Sequence, residues 1–556
     1  MMEALPNTPQ ASITNPEPDT AGSESRLSAL PLKRSRVVVS QSKRGCVTCK
    51  TRRVKCDEQK PLCRRCVQAG RLCSGYNHES KLPVALKPAL KIGVAADSGT
   101  ERLTYLAAHV LSLDNNGRPV QEDGVWGRIF LQLSNQVPCV KAAAAAFGAA
   151  YESLVDNAIE RSPCSVWRYY GSALTKLQSD INNRTAGPES LALASMILAC
   201  TEILSQHETN AFAHFLGAVQ ILTESQHGGQ WAPRSSTHIL STVKDELVKF
   251  DVLIGSYAIS QTPAFMYLES NWQGDAPADD VFDDPELAIN AAMLCLHRSY
   301  RFVEAAAKLR YTYPSWKEHD PIMFKGQLDA VTQCRSVLDE LGAVATRLQA
   351  QYSSAMSTLR DAKTLAEVYA LRTQLTAAII YMLCVHSPFQ TAYDEHQLLF
   401  QSIVTDAAAS ARLRRRAQTS AFKRFSTRPG IVSSLFIVSM KCRDPPLRAL
   451  ATTLLNEQSR EGPTDGHIMA AIGARLAAIE TTGNVPSREA PLAACNVPED
   501  RRVHGYGVSP PKLNGEGHRV VEVEFSRPKV PLVKGWGNVD YTDLGNWTFW
   551  SETIDI

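Results

Sequence analysis

Hydrophobic positions are sparse at the start of the chain and fall into long helical stretches over its middle. Glu189 to Leu204, opened by Pro188 at a first helical turn, places Leu191, Leu193, Met196, Ile197, Leu198, Ile203 and Leu204 on nearly every side. A helix apolar all round is buried inside a larger bundle, and proline suits the first turn, where its missing N–H would have no helical partner. The next segment puts Phe212, Phe215, Leu216, Val219 and Leu222 on one stripe; Leu371, Leu375, Ala378, Ile379, Met382 and Leu383 repeat the pattern. Apolar residues spaced by three and four predict helices packed on that bundle. Strand-like alternation is scarce until Arg519 to Phe525, where Val520, Val521, Val523 and Phe525 predict one short strand. The expected fold class is mainly α, with no visible internal repeat.

Breaks in this pattern divide the chain. Residues 1–32 carry Pro6, Pro9, Pro16, Pro18 and Pro31 among many Ser and Thr. With so few aliphatics they cannot offset their ordering entropy, and disorder is predicted. Residues 33–76 are basic and cysteine-dense. Residues 77–100 read as a linker with Pro83 and Pro88, lacking the apolar a and d positions of a coiled coil. The large all-α domain is expected over 101–482 and a C-terminal extension over 483–556. Within the extension, Gly535 to Ile556 holds no Lys or Arg, and Asp540, Asp543, Glu552 and Asp555 interleave with Trp536, Tyr541, Trp547, Phe549 and Trp550. Two readings stand side by side: an activation-like segment offering apolar anchors to a coactivator, or a tail docked on the helical domain.

Composition narrows the classes. A chain of 556 residues, 44% apolar, has room for more than one domain. It shows no apolar run long enough to cross a bilayer and no secretory start, so neither membrane insertion nor export is expected. The formal charge is +3, from 59 Lys plus Arg against 56 Asp plus Glu. That near-balance conceals an asymmetry. Between Lys33 and Tyr76 thirteen basic residues face two acidic ones, a local +11, which leaves −8 for the rest. A basic block on an acidic body predicts a polyanion-binding module joined to a separate domain.

The fourteen cysteines form two populations. Eight are scattered singly, as small core hydrophobes are in a reducing compartment. The other six, Cys46, Cys49, Cys56, Cys63, Cys66 and Cys73, follow the spacing Cys-x2-Cys-x6-Cys-x6-Cys-x2-Cys-x6-Cys. A Cys-x2-Cys pair at a helical turn aims both sulfurs at one metal, and thiolates are the natural shell of tetrahedral zinc. Six thiolates complete two tetrahedra when two of them bridge. Pseudo-symmetry selects the first cysteine of each half, Cys46 and Cys63. One zinc then takes Cys46, Cys49, Cys56 and Cys63; the other takes Cys46, Cys63, Cys66 and Cys73. Protein sulfur closes every position, so the expected pair of zinc ions is structural. Six bound thiolates and two Zn2+ bring the module near +9.

This run resembles the fungal binuclear zinc cluster transcription regulators through all six cysteines, the basic run after Cys49, the Lys55-Cys56-Asp57 step and Lys60-Pro61 before Cys63. The resemblance implies a nuclear, zinc-dependent regulator of transcription by RNA polymerase II. Its short helix between the second and third ligands would enter the major groove of double-stranded DNA and read a CGG-type triplet. Matched position by position, Arg52 and Arg53 are the base contacts, since a guanidinium donates two bonds to guanine O6 and N7. Lys50, Lys55, Lys60, Arg64, Arg65 and Arg71 are the phosphate contacts, which position the module without reading sequence. Basic residues in front, Lys33, Arg34, Arg36, Lys43 and Arg44, suit an import signal or a DNA-backbone arm. Farther on, Ser190 to Leu204, His214 to Leu222 and Ser387 to Glu395 resemble the fungus-specific transcription factor domain, which implies an all-α regulatory body.

Other readings are thinner. A zinc-folded protein-interaction cofactor would use the basic surface for import alone. No catalytic constellation appears: neither a phosphate-cradling Gly-x4-Gly-Lys, nor His-Glu-x2-His, nor Gly-x-Ser-x-Gly. Gly505-Tyr506-Gly507 reads as a loop, Glu202 and His214 as satisfied core polar groups, and the run Arg412, Arg414, Arg415, Arg416, Lys423, Arg424 as a solvated face. Monomer or homodimer stays open, and with it half-site spacing.

Overall fold

The computed structural model describes Cys49, Val54, Cys56, Asp57 and residues 63–69, then 98–111, 125–155, 163–226, 237–258, 279–307, 309–311, 320–352, 359–417, 428–481, 497–530 and 539–556. It divides into two compact units, Met1–Val94 and Ala95–Ile556. Residues 1–32, for which disorder is expected, and the 77–97 part of the linker lie outside the described residues. The described helix of the first unit is α1, Arg64–Gln68.

The second unit is mainly α, built on two apolar cores. Around the first pack α2 (Ser98–Leu111), α3 (Phe130–Gln136), α4 (Pro138–Val155), α5 (Pro163–Asn183), α6 (Pro188–Leu204), α7 (Glu208–Gln226) and α8 (Thr237–Ala258). Helix α6 is the predicted all-apolar helix, with Pro188 in its first turn and every residue buried. Phe215, Val219 and Leu222 of α7 are buried on it, and Phe212 is half-buried. In α4, alanines 142–146 are buried. Their small side chains permit a close neighbour: a Cβ added at Gly148 would strike the Leu103 carbonyl of α2.

Around the second core pack α9 (Pro285–Ala307), α10 (Pro321–Tyr352), α11 (Leu359–Cys384), α12 (Gln397–Ala417), α13 (Val432–Lys441), α14 (Pro445–Asn456) and α15 (Gly466–Thr481). Leu371, Leu375, Ala378, Ile379 and Met382 of α11 are buried at its centre. Helix α8 serves both cores, since Val252 faces the second and Leu253 and Ile254 the first. A hairpin of β1 (Arg460–Glu461) and β2 (Thr464–Asp465) joins them too. Its Arg460 donates to the Ile203 carbonyl of α6 at 2.9 Å. Gly462 turns the hairpin at φ +54°, against the Leu253 side chain. The buried Glu461 carboxylate accepts from the N–H groups of Gly430 (3.1 Å), Ile431 (3.1 Å) and Val432 (2.9 Å), satisfying donors that the start of α13 would leave orphaned.

The C-terminal residues correct two expectations. Instead of one short strand there is a four-stranded antiparallel sheet: β3 (Gly505–Val508), β4 (Lys512–Leu513), β5 (Arg519–Pro528) and β6 (Trp547–Asp555), all paired to β5. The Gly505-Tyr506-Gly507 segment, expected to be a loop, is most of β3. The flanking glycines hid the strand, whose Tyr506 is buried against Phe436. Val521, Val523 and Phe525 of β5 are likewise buried in the second core. The acidic-aromatic tail is the docked alternative, for Trp550 and Ile554 of β6 pack on that core and Glu552 pairs with Arg475 of α15. Residues 531–538, with Trp536, lie outside the described residues.

A polar clamp, centred on the buried Arg502 and Lys441, ties the residues before this sheet to the helices. Arg502 donates to both oxygens of Asp394 at 2.8 and 2.6 Å. Glu499 accepts from the N–H groups of Gln390 (2.7 Å) and Thr391 (2.8 Å) and meets His504 at 3.2 Å. Lys441 donates to Gln390 Oε1 at 2.6 Å and to the His504 carbonyl at 3.2 Å. Nearby, Glu480 joins Arg443 (2.6 Å) and Arg448 (3.0 Å) in the interior.

Candidate metal centre and nucleic-acid interface

Four of the six expected zinc ligands are described: Cys49, Cys56, Cys63 and Cys66, all buried. The sulfurs of Cys49, Cys56 and Cys63 all lie within 4.8 Å of one another. Cys49 Sγ is 3.6 Å from Cys63 Sγ and 3.8 Å from Cys66 Sγ. Ligands at about 2.3 Å from a tetrahedral zinc stand about 3.8 Å apart. The donor set therefore fits zinc in softness and in spacing. Cys49, Cys56 and Cys63 are three of the four ligands expected on one ion. The equally short approach of Cys49 to Cys66 means that separations among these four do not by themselves divide them between two metals. Cys46 and Cys73 lie outside the described residues.

Local chemistry explains the gathering. Cys49 sits in a helical turn and its carbonyl accepts from Val54 N–H at 3.1 Å. The half-buried Val54 packs on the cysteines. Cys63 precedes α1, and Cys66 lies within it. Burial, with the neighbouring Asp57 carboxylate, pushes the Cys63 thiol above its ordinary range, so a bound metal must displace that proton.

One residue has a role that spacing alone did not reveal. The Asp57 carboxylate accepts from the backbone N–H of Arg64 at 3.0 Å and of Arg65 at 3.5 Å. It thereby caps the first turn of α1 and links the residue after the third cysteine to those after the fourth. No local signal marked it, because Asp57 stands seven positions ahead of Arg64 and not at the cap position where an aspartate is preferred.

Of the expected phosphate contacts, Arg64 and Arg65 are described, and both are exposed on α1. Base contacts Arg52 and Arg53, with Lys50, Lys55, Lys60 and Arg71, lie outside the described residues. In the helical body, Glu202 is a satisfied core group, meeting His207 at 3.0 Å and Asn210 at 3.3 Å. His214 meets the Tyr170 hydroxyl at 2.7 Å. Of the second basic run, Arg414 turns inward to Glu461 and Arg415 pairs with Glu457 at 3.0 Å; Lys423 and Arg424 lie outside the described residues. Among the scattered cysteines, Cys139, Cys200, Cys295, Cys334, Cys384 and Cys442 are buried. No described helix is long and apolar enough to cross a membrane.

Comparison with known proteins agrees with this geometry. Residues 44–83 match the fungal Zn(2)-Cys(6) binuclear cluster domain, which binds two zinc ions, and residues 112–462 match the fungal specific transcription factor domain. The chain is 59% identical over 39 residues to an aspercryptin biosynthesis cluster-specific transcription regulator of Emericella nidulans, a stretch covering 7% of this chain and 6% of that one. It is 37% identical over 78 residues to an uncharacterized transcriptional regulatory protein of Schizosaccharomyces pombe, covering 13% and 14%. It is 42% identical over 52 residues to White-opaque regulator 2 of Candida albicans, covering 9% and 12%. The shared stretches thus span a small part of each relative's length. No solved structure matches the chain. With more than half its length matched by the second domain and the cysteine module in front of it, the chain belongs to the fungal-specific transcription factor family, as a regulator carrying a binuclear zinc cluster.

Proposed function

We propose that the N-terminal module is a sequence-specific reader of CGG-type triplets in double-stranded DNA, acting in the nucleus on transcription by RNA polymerase II. Two zinc ions held by Cys46, Cys49, Cys56, Cys63, Cys66 and Cys73, with Cys46 and Cys63 bridging, fold residues 33–76. The carrying observation is the pairing of a buried sulfur cluster with the exposed arginines of α1, which places positive charge outward of the gathered thiols. Arg52 and Arg53 donate to guanine edges. Lys50, Lys55, Lys60, Arg64, Arg65 and Arg71 meet phosphates and fix the register. Zinc supplies the fold and no chemistry. The body beyond residue 100 regulates or recruits and carries no reaction.

Measured on the zinc-loaded chain against cognate and mutated sites, Arg53→Ala relaxes base preference, by about 1–3 kcal/mol of lost discrimination. Lys60→Ala weakens all sites alike and lowers the salt dependence by about one phosphate contact. Equal loss of preference in both variants would refute this division of roles.

A further inference from the structure

Strand β6 leaves one long edge open. Its register with β5 runs without a bulge from Val520↔Asp555 to Pro528↔Trp547. Beyond its two ends, Ile556 donates to the Arg519 carbonyl at 3.0 Å, and the Asn546 carbonyl accepts from Lys529 at 2.8 Å. Antiparallel strands turn the N–H and C=O of alternate residues to alternate sides. The even-numbered residues 548–554 therefore bond β5, and Phe549, Ser551, Thr553 and Asp555 present both backbone groups away from it; Trp547 offers its carbonyl alone, because its N–H donates to the Leu544 carbonyl. Among the described residues no strand pairs with that side.

Such an edge is a ready template for another strand, and proteins that avoid pairing blunt it with lysine, proline or a bulge. The segment Trp547-Thr-Phe-Trp-Ser-Glu-Thr-Ile-Asp555 has none of the three. Its side chains also sort by face. Phe549, Ser551, Thr553 and Asp555 are exposed, whereas Trp550, Glu552 and Ile554 are half-buried towards the helices.

We infer that this edge is a homodimerisation surface on which β6 of a second copy pairs antiparallel about a two-fold axis at Ser551. The register follows from face and charge. To keep exposed residues beside exposed ones, the axis must pass through a residue and not between two. An axis at Glu552 sets that carboxylate against its own copy, and like charges directly opposite are unfavourable. An axis at Trp550 leaves Asp555 unpaired. At Ser551 all nine residues pair: Phe549 lies beside Thr553, Trp547 beside Asp555, and Trp550 beside Glu552. No like charges lie directly opposite one another, and Phe549, Ser551 and Thr553 exchange both backbone bonds with the partner, while the Trp547 carbonyl accepts from Asp555. A self-complementary patch of this kind closes at two copies. It lies beyond residues 112–462 and does not depend on how the zinc module reads DNA. One paired edge is a small interface, so association is weak, with Kd on the order of micromolar or above. Two readers joined this way would gain from a site with two triplets.

The test is sedimentation of the zinc-loaded full chain without DNA, at concentrations up to about 100 μM. The wild type should show a concentration-dependent dimer. Ser551→Lys, which places like charges at the axis while leaving an exposed position of the monomer, should weaken it at least about tenfold with the melting temperature unchanged. Mixing Ser551→Lys with Ser551→Glu should restore a mixed dimer. A wild type that stays monomeric, with its edge left for another protein's strand, overturns the inference. So does a dimer that Ser551→Lys leaves intact, or a failure of the mixture to pair.

Discussion

Lys441 offers a quantitative check on the clamp that holds the C-terminal sheet to the helices. Its ammonium is buried at the end of α13, over the ring of Tyr393, with Arg443, Arg310, Glu480 and Glu499 as charged neighbours. Burial, and then the repulsion of Arg443 and Arg310, lowers its pKa from 10.5 to about 7. Unfolding returns the side chain to water, where it takes up a proton at any pH between those values. Stability from this group is therefore least below pH 7 and rises with pH towards 10.5. Between pH 7 and 8.5 the linked gain is about 1.5 kcal/mol. Groups other than Lys441 are common to the wild type and a Lys441→Met variant, so their titration cancels in the difference between them. His504, held below its ordinary value mainly by burial, costs stability only at acid pH. The thiols of Cys139, Cys200 and Cys384, raised by burial, lose their contribution only as pH climbs past the ordinary thiol range. The assay is urea unfolding of the wild type and Lys441→Met at pH 7.0, 7.75 and 8.5. Methionine loses the two hydrogen bonds by a constant amount and has nothing to titrate. The stability difference, wild type minus variant, should rise by about 1.5 kcal/mol across the window. A flat or falling difference would refute the reasoning.

Two further outcomes follow from buried charge and from the metal set. Glu480→Gln leaves the interior guanidinium groups of Arg443 and Arg448 uncompensated and should cost about 3–5 kcal/mol in urea unfolding, whereas a loss under about 1 kcal/mol contradicts the network. If Cys63 bridges, Cys63→Ser should loosen both zinc ions and Cys66→Ser only one; stepwise competition with a chromogenic chelator separates the cases, and identical release profiles contradict the bridging assignment.

Much of this architecture was legible from residue patterns. Helix α6 announced itself because every face is apolar and Pro188 marks its start; the stripes of α7 and α11 followed from spacing alone. The cysteine module was legible because metal ligands fix both residue type and interval. What escaped was set by tertiary context. Tyr506 lies between two glycines, which weaken any local strand signal, and only pairing with β5 makes it strand. The tail's alternation of acids and aromatics is compatible with solvent or with a sheet. The packing of the half-buried Trp550 and Ile554 on the second core, and the Arg475 partner of Glu552, decide it. Asp57 looked like part of a motif, and its capping of α1 depends on a turn that brings residues seven positions away within hydrogen-bond reach.

The central claim is that a zinc-folded module reads DNA sequence. The most direct measurement is selection of random duplex DNA by the full zinc-loaded chain at moderate salt, with and without chelator. Sites containing CGG-type triplets should be enriched, and chelation should abolish that enrichment. Equal retention of all sequences, or enrichment that survives removal of zinc, would contradict the claim.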